Sequence, residues 1–152
     1  MLYLASGECG GRDIYIGNTE EIVELKTPGF PMHYRDELVC EWIVSAANNR
    51  RIHVEIIDFE MERGYDFLIL GDGVVSVDGK STLATLTGTI KLNSLSSGGS
   101  TLWIKVATDR TGTSKGFRLE LKQLTDEYGM YIHPLFITTV SSLTTISCKS
   151  YF

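Results

Sequence analysis

At 152 residues, with 43% hydrophobic and 22% charged content, the chain has the make-up of one globular domain plus a short extension, which excludes whole-chain disorder and a membrane bundle. A formal net charge of −5 argues against generic nucleic-acid binding, which draws on a basic surface, and fits cationic partners or metal ions. Three cysteines, Cys9, Cys40 and Cys148, permit one bridge and leave a thiol over.

Residues 9–124 read as a succession of short strands. Residues 22–25 form the first, and Thr27-Pro28-Gly29-Phe30-Pro31 turns the chain, with prolines fixing the backbone on both sides of a flexible glycine. Residues 40–45 alternate, with Cys40, Trp42 and Val44 on one face and Glu41, Ile43 and Ser45 on the other. A cysteine beside a large aromatic at strand spacing suits a disulfide packed in a sandwich core. Residues 52–56 place Ile52, Val54 and Ile56 on one face and His53 on a solvated one. Residues 66–70 run into the turn Gly71-Asp72-Gly73, and residues 74–77 precede another at Asp78-Gly79. Residues 82–92 suit one or two strands around Gly88, while 94–100, with Gly98-Gly99, read as a loop. Leu102, Ile104 and Val106 alternate with Trp103 and Lys105, which leaves Trp103 partly exposed, as Tyr65 is. Phe117, Leu119 and Leu121 alternate with Arg118, Glu120 and Lys122. No segment keeps a helical period, so the reading is all-β, an antiparallel sandwich or barrel whose strand order stays open.

The organisation that follows is a lead-in at 1–8, a domain at 9–124, and a C-terminal extension or truncated start of a following segment at 125–152. Residues 132–146 are apolar but interrupted by His133, Pro134 and several Ser and Thr, too short and polar for a transmembrane helix. Their β-branched content allows an edge strand, with Cys148 pairing beyond this chain; a loosely ordered tail is the alternative. A Cys9–Cys40 pair would contribute roughly 3–4 kcal/mol through the unfolded state and belong to an oxidising compartment. Two buried free thiols in a cytosolic protein are the other reading. Residues 1–7 lack the charged start and full apolar stretch of a secretory signal. An oxidising compartment therefore implies a fragment of a longer secreted or membrane-anchored protein.

Seven pieces in order carry a family resemblance: Cys9-Gly10-Gly11; Thr27-Pro28-Gly29-Phe30-Pro31 with Tyr34; Cys40-Glu41-Trp42; Phe59-Glu60-Met61-Glu62; Tyr65-Asp66-Phe67-Leu68-Ile69; Asp72-Gly73; and Thr108-Asp109 with Gly116-Phe117. From about Cys9 to Leu124 the chain resembles a CUB domain, an extracellular jelly-roll β-sandwich module of complement proteases, tolloid-type proteases, neuropilins, cubilin and spermadhesins. The resemblance implies a Cys9–Cys40 disulfide. Many members carry a second bridge; here its first position falls near Gly64 and no later cysteine appears before Cys148, so the chain looks like a single-disulfide variant. The connection from Glu62 to Asp66 is also shorter than in many members.

By the same resemblance, calcium is held by Glu62, Asp66 and Asp109, with a backbone oxygen near Thr111 as a further ligand and Tyr34 orienting the cluster. The chemistry agrees, because calcium takes hard oxygen ligands, and three converging carboxylates without a cation repel one another and raise a pKa. The ordinary alternative is solvated acidic groups at strand ends, with Asp66 capping a turn. In calcium-binding members the exposed edge accepts a Lys or Arg from the partner, a contact that a spare carboxylate oxygen would suit.

His33, His53 and His133 have no metal-ligand spacing, no Gly-x-Ser-x-Gly elbow or His-Glu-x-x-His occurs, and the glycine-rich pieces lack the strand-to-helix context of a phosphate loop. The expectation is a non-catalytic extracellular protein-recognition module, calcium-assisted and part of a larger protein. The alternatives are a carbohydrate-binding module, against whose sulfated ligands the acidic charge argues, or a substrate-selecting piece of a secreted protease.

Overall fold

The computed structural model describes residues 9–73, 81–90 and 92–125. The readings made on 1–8, 74–79 and 126–152, Cys148 and His133 among them, lie outside the described residues. Nine strands are described: β1 Asp13–Ile16, β2 Val23–Lys26, β3 Val39–Ala46, β4 Ile52–Glu60, β5 Phe67–Asp72, β6 Thr82–Leu86, β7 Ser94–Ser96, β8 Thr101–Ala107 and β9 Gly116–Gln123. They form a five-stranded sheet in the order β1-β3-β8-β5-β6 and a four-stranded sheet in the order β2-β9-β4-β7. Neighbours are antiparallel except β1, which runs parallel to β3. The β-sandwich expected from the alternating pattern is what forms.

The core follows from that alternation. Cys40, Trp42 and Val44 of β3, Leu102, Ile104 and Val106 of β8, and Phe117, Leu119 and Leu121 of β9 are all buried, since successive strand side chains point to opposite faces. Trp42 and Phe117 meet edge to face across the sheets at 6.3 Å between ring centroids, a geometry that aromatic quadrupoles favour. The Cys9–Cys40 disulfide is present, with Cα atoms 5.6 Å apart. The Trp42 indole N–H donates to the Cys9 carbonyl at 2.9 Å, tying the N-terminal end of the described chain to β3.

Several sequence expectations are corrected. The stretch expected as a loop at 94–100 contains β7, which pairs with β4 from Glu55↔Ser94 to His53↔Ser96. His53 is half-buried rather than solvated, its Nδ1 lying 3.0 Å from Ser96 Oγ. Trp103 does point to the outer face, yet only 8% of it is exposed. Its ring lies against Gly71, where a Cβ would collide with it, and its indole N–H donates to Ser81 Oγ at 3.2 Å. β1 was not anticipated, because only Ile14 and Ile16 of its four residues carry the apolar signal.

Two local features position the end of the sandwich described next. In β4 the register slips between Ile56 and Asp58; such a bulge re-aims the strand that follows it. At the start of β9, Gly116 (φ +90°) lies so close to Thr27 that no Cβ could fit. The Phe117 N–H donates to Thr27 Oγ1 at 2.9 Å, which pins the Pro-Gly-Phe-Pro turn to β9.

Candidate metal centre

Beyond β4, Met61 is buried and its N–H donates to the Gly88 carbonyl at 3.0 Å, anchoring the chain just before Glu62. The Glu62 carbonyl then accepts the N–H groups of Tyr65 at 3.4 Å and Asp66 at 3.1 Å, closing one tight turn. Gly64 supplies its left-handed residue at φ +82°. Thr87, just past the end of β6, clamps the turn: its hydroxyl donates to the Glu62 carbonyl at 3.0 Å and accepts the Gly64 N–H at 2.8 Å. The short connection therefore keeps both acidic residues on the same side.

Asp66 is fully buried. Its Oδ2 accepts the Tyr34 hydroxyl at 2.5 Å and its Oδ1 accepts the Asp109 N–H at 2.9 Å. Tyr34 arrives through the opening turn, where Phe30 N–H donates to Thr27 O at 3.1 Å, Met32 N–H to Gly29 O at 2.8 Å, and Tyr34 N–H to Ser114 O at 3.1 Å. The Tyr34 hydroxyl also accepts the Glu62 N–H at 3.0 Å. Burial, then the hydrogen bond to Asp66, pushes the phenol up to about 12, so it remains a donor throughout the neutral range. Asp109 sits in the β8–β9 connection, its carbonyl taking the Glu37 N–H at 2.7 Å and its Oδ1 the Thr111 N–H at 3.0 Å.

Glu62, Asp66 and Asp109 thus come together, each offering a carboxylate oxygen, with those oxygens all within 4.8 Å of one another. Glu62 Oε2 is shielded from solvent and has no hydrogen-bond partner. Gly112 (φ +89°) packs against that carboxylate so closely that a Cβ there would overlap it. Burial first, then the charges of Asp109, Asp66 and Asp36, holds the Glu62 carboxyl above its ordinary range. The cations of the neighbouring loop turn elsewhere: Arg110 pairs with Glu37 at 3.3 Å and Lys115 with Asp58 at 2.9 Å. A set of three carboxylates, oxygen-only and short of positive charge, has the donor chemistry of a hard divalent cation site.

The sequence motifs named Glu62, Asp66, Asp109, Thr111 and Tyr34, and the fold brings all five to one end of the sandwich. Thr111 contributes its N–H to Asp109 and is exposed. Sequence reasoning passed over Thr87 and Gly112. A Thr following a strand carries no local signature, and the need for glycine at 112 arises from a contact with Glu62 far away in sequence. His33 lies on the surface of the opening turn, its Nδ1 3.2 Å from Thr113 Oγ1.

Residues 9–121 match the CUB domain family. The chain is 27% identical over 120 residues to cubilin of Rattus norvegicus, covering 74% of this chain and 3% of that protein. It is 33% identical over 116 residues to neuropilin-2 of Mus musculus, covering 73% of this chain and 12% of that protein. Among solved structures, the MASP-1 CUB2 domain bound to Ca2+ superposes with a TM-score of 0.60 at 16% identity, covering 72% of this chain and 96% of that one. The chain spans only a small part of these curated relatives.

Proposed function

Because the chain belongs to the CUB domain family, we propose that it is a non-catalytic extracellular recognition module whose calcium-organised end binds another protein. The observation that carries this reading is the shielded, unpartnered Glu62 Oε2 facing two further carboxylates. Leaving such an atom without a partner is costly, and a divalent cation supplies one while removing the repulsion that raises the Glu62 carboxyl. Glu62, Asp66 and Asp109 hold the ion, joined by the backbone oxygen of Thr111. Tyr34 fixes the Asp66 carboxylate in place. When bound, calcium cancels the clustered negative charge and locks the 62–66 turn to the 109–112 loop.

The partner presents a Lys or Arg to the remaining carboxylate oxygens at the exposed rim, a charge-assisted contact. The extracellular setting is supported by the disulfide and by the relatives. Among the described residues, no helix is long and apolar enough to cross a membrane. The module acts within a larger protein, as the small share of each curated relative that it matches suggests.

Calorimetry of the chelator-stripped protein tests the ion. Calcium is expected to bind with measurable heat and to stabilise the fold by about 2.7 kcal/mol at a hundredfold excess over Kd, and Asp109→Ala is expected to remove both effects. A wild-type domain showing neither heat nor a shift in melting temperature refutes the calcium reading. An array of basic and neutral peptides, read with and without chelator, tests the rim. Signal restricted to Lys and Arg peptides and lost on chelation supports it, and chelator-insensitive signal overturns it.

A further inference from the structure

The two outer faces of the sandwich are unlike. That of the four-stranded sheet is laced with ion pairs, Arg118 bridging Glu24 at 3.7 Å and Asp58 at 3.3 Å. That of the five-stranded sheet sets apolar side chains around a few charged ones. The register aligns its side chains in rows across the strands. One row is Val39, Ala107 and Phe67, and another is Ile43, Trp103 and Gly71, which the exposed Asp13 of β1 extends at the sheet edge. Between them runs Glu41, Lys105 and Ile69. Val39 is 56% exposed, and Ile43, Phe67, Ile69 and Ala107 are half-buried. Trp103 packs closely against Gly71 and is 8% exposed, so the large indole does not stand out from this side. The charges in the middle are one opposed pair, Lys105 Nζ donating to Glu41 at 2.9 Å, with Arg12 3.9 Å away at the edge.

We propose that the outer face of the five-stranded sheet packs against the same face of a second copy of this chain. The charge pattern selects that occupant. A two-fold axis lying in the interface, parallel to the strands and midway between β3 and β8, sets each copy's β3 over the other's β8. Glu41 then faces the partner subunit's Lys105, and Lys105 faces the partner subunit's Glu41. The central pair becomes a square of alternating charge, repeated by symmetry as an isologous interface requires. On either side, Val39 meets the partner subunit's Ala107 and Ile43 meets the partner subunit's Trp103, with Asp13 left towards the rim. Four strands of sheet bury on the order of 1,000 Å2 in total, at the lower limit for a specific interface, so the dimer is weak and concentration-dependent. The calcium-site residues lie beyond the strand ends, so the association does not depend on the ion.

Sedimentation equilibrium of the full chain over a wide concentration range tests this. Wild type is expected to move from monomer to dimer, equally with and without chelator. Glu41→Lys sets like charges opposite each other and is expected to weaken self-association roughly tenfold or more, as is Lys105→Glu. Mixing the two variants restores dimers, because the lysine introduced in one variant then faces the glutamate introduced in the other, and the native pair is kept on the opposite side of the axis. Glu41 is exposed and Lys105 half-buried with its ammonium at the surface, and matching thermal melts confirm that each variant folds. Wild type that stays monomeric overturns the proposal, as does failure of the mixture to recover or dimerisation that chelator abolishes. The last result places the contact at the calcium-binding end instead.

Discussion

Asp58 and Glu62 stand close together where β4 ends, carry the same charge and meet opposite surroundings. Asp58 receives Lys115 Nζ at 2.9 Å and Arg118 Nε at 3.3 Å. The Lys115 hydrogen bond holds its carboxyl below the usual range. Among the described residues Glu62 receives no such cation: burial and then Asp109, Asp66 and Asp36 drive its carboxyl the other way. The first carboxylate is balanced by cations that the chain itself supplies. The second sits among its own kind, in a frame of hydrogen bonds that keeps the cluster from spreading. A fold that spends a buried tyrosine and a fully buried aspartate on holding like charges together is arranged to meet a positive charge from outside.

The largest test of this contrast is Asp66→Ala. It strips the acceptor from the Tyr34 hydroxyl and the Asp109 N–H in a buried site, and is expected to cost about 3 kcal/mol in chelator. Urea denaturation measures it; wild-type stability would mean that the frame does not depend on Asp66. Gly112→Ala comes next. Its methyl group would enter the space of the Glu62 carboxylate at a strained φ, with an expected loss of about 1–2 kcal/mol in stability and a clear fall in calcium affinity by calorimetry. Calcium affinity equal to wild type would show that Glu62 is dispensable.

A smaller comparison makes the same chemical change at both positions. In chelator, Glu62→Gln removes repulsion and should raise the melting temperature, whereas Asp58→Asn removes attraction and should lower it. Equal signs would erase the distinction between the two sites. The subtlest reading is pH dependence in chelator. Asp58, with its folded value depressed, contributes stability above the unfolded Asp value of about 3.9 that is lost as pH falls through the folded value. Glu62, with its folded value raised, contributes stability that is full below the unfolded Glu value of about 4.3 and is lost as pH rises through the folded value. Melting curves across pH should therefore show a shallower acid-side decline in Asp58→Asn, where Glu41, also held low by Lys105, still contributes, and a smaller loss above the usual Glu range in Glu62→Gln.

Much of the fold was legible in the chain. Alternation is a local property, so β3, β8 and β9 could be read from Cys40-Glu41-Trp42, Leu102 to Val106 and Phe117 to Lys122, together with which side each buries. The ordered motifs pointed to the family and to Glu62, Asp66, Asp109, Thr111 and Tyr34. β1 and β7 escaped because three or four residues carry too little pattern to stand out from a loop. Trp103 was misjudged because its burial depends on Gly71 of the neighbouring strand, a partner that alternation cannot name.

What the sequence by itself determined is therefore most of the strands with their inward faces and, through the family resemblance, the pairing of Cys9 with Cys40 and the identity of the acidic residues. Only the tertiary structure decided their electrostatic fate. Lys115 and Arg118 reach Asp58 because β9 pairs with β4 there, and Asp109 reaches Asp66 because the β8–β9 connection folds over the 62–66 turn. A residue's charge is written in its side chain, but the company that charge keeps is set by strand pairing between residues far apart along the chain.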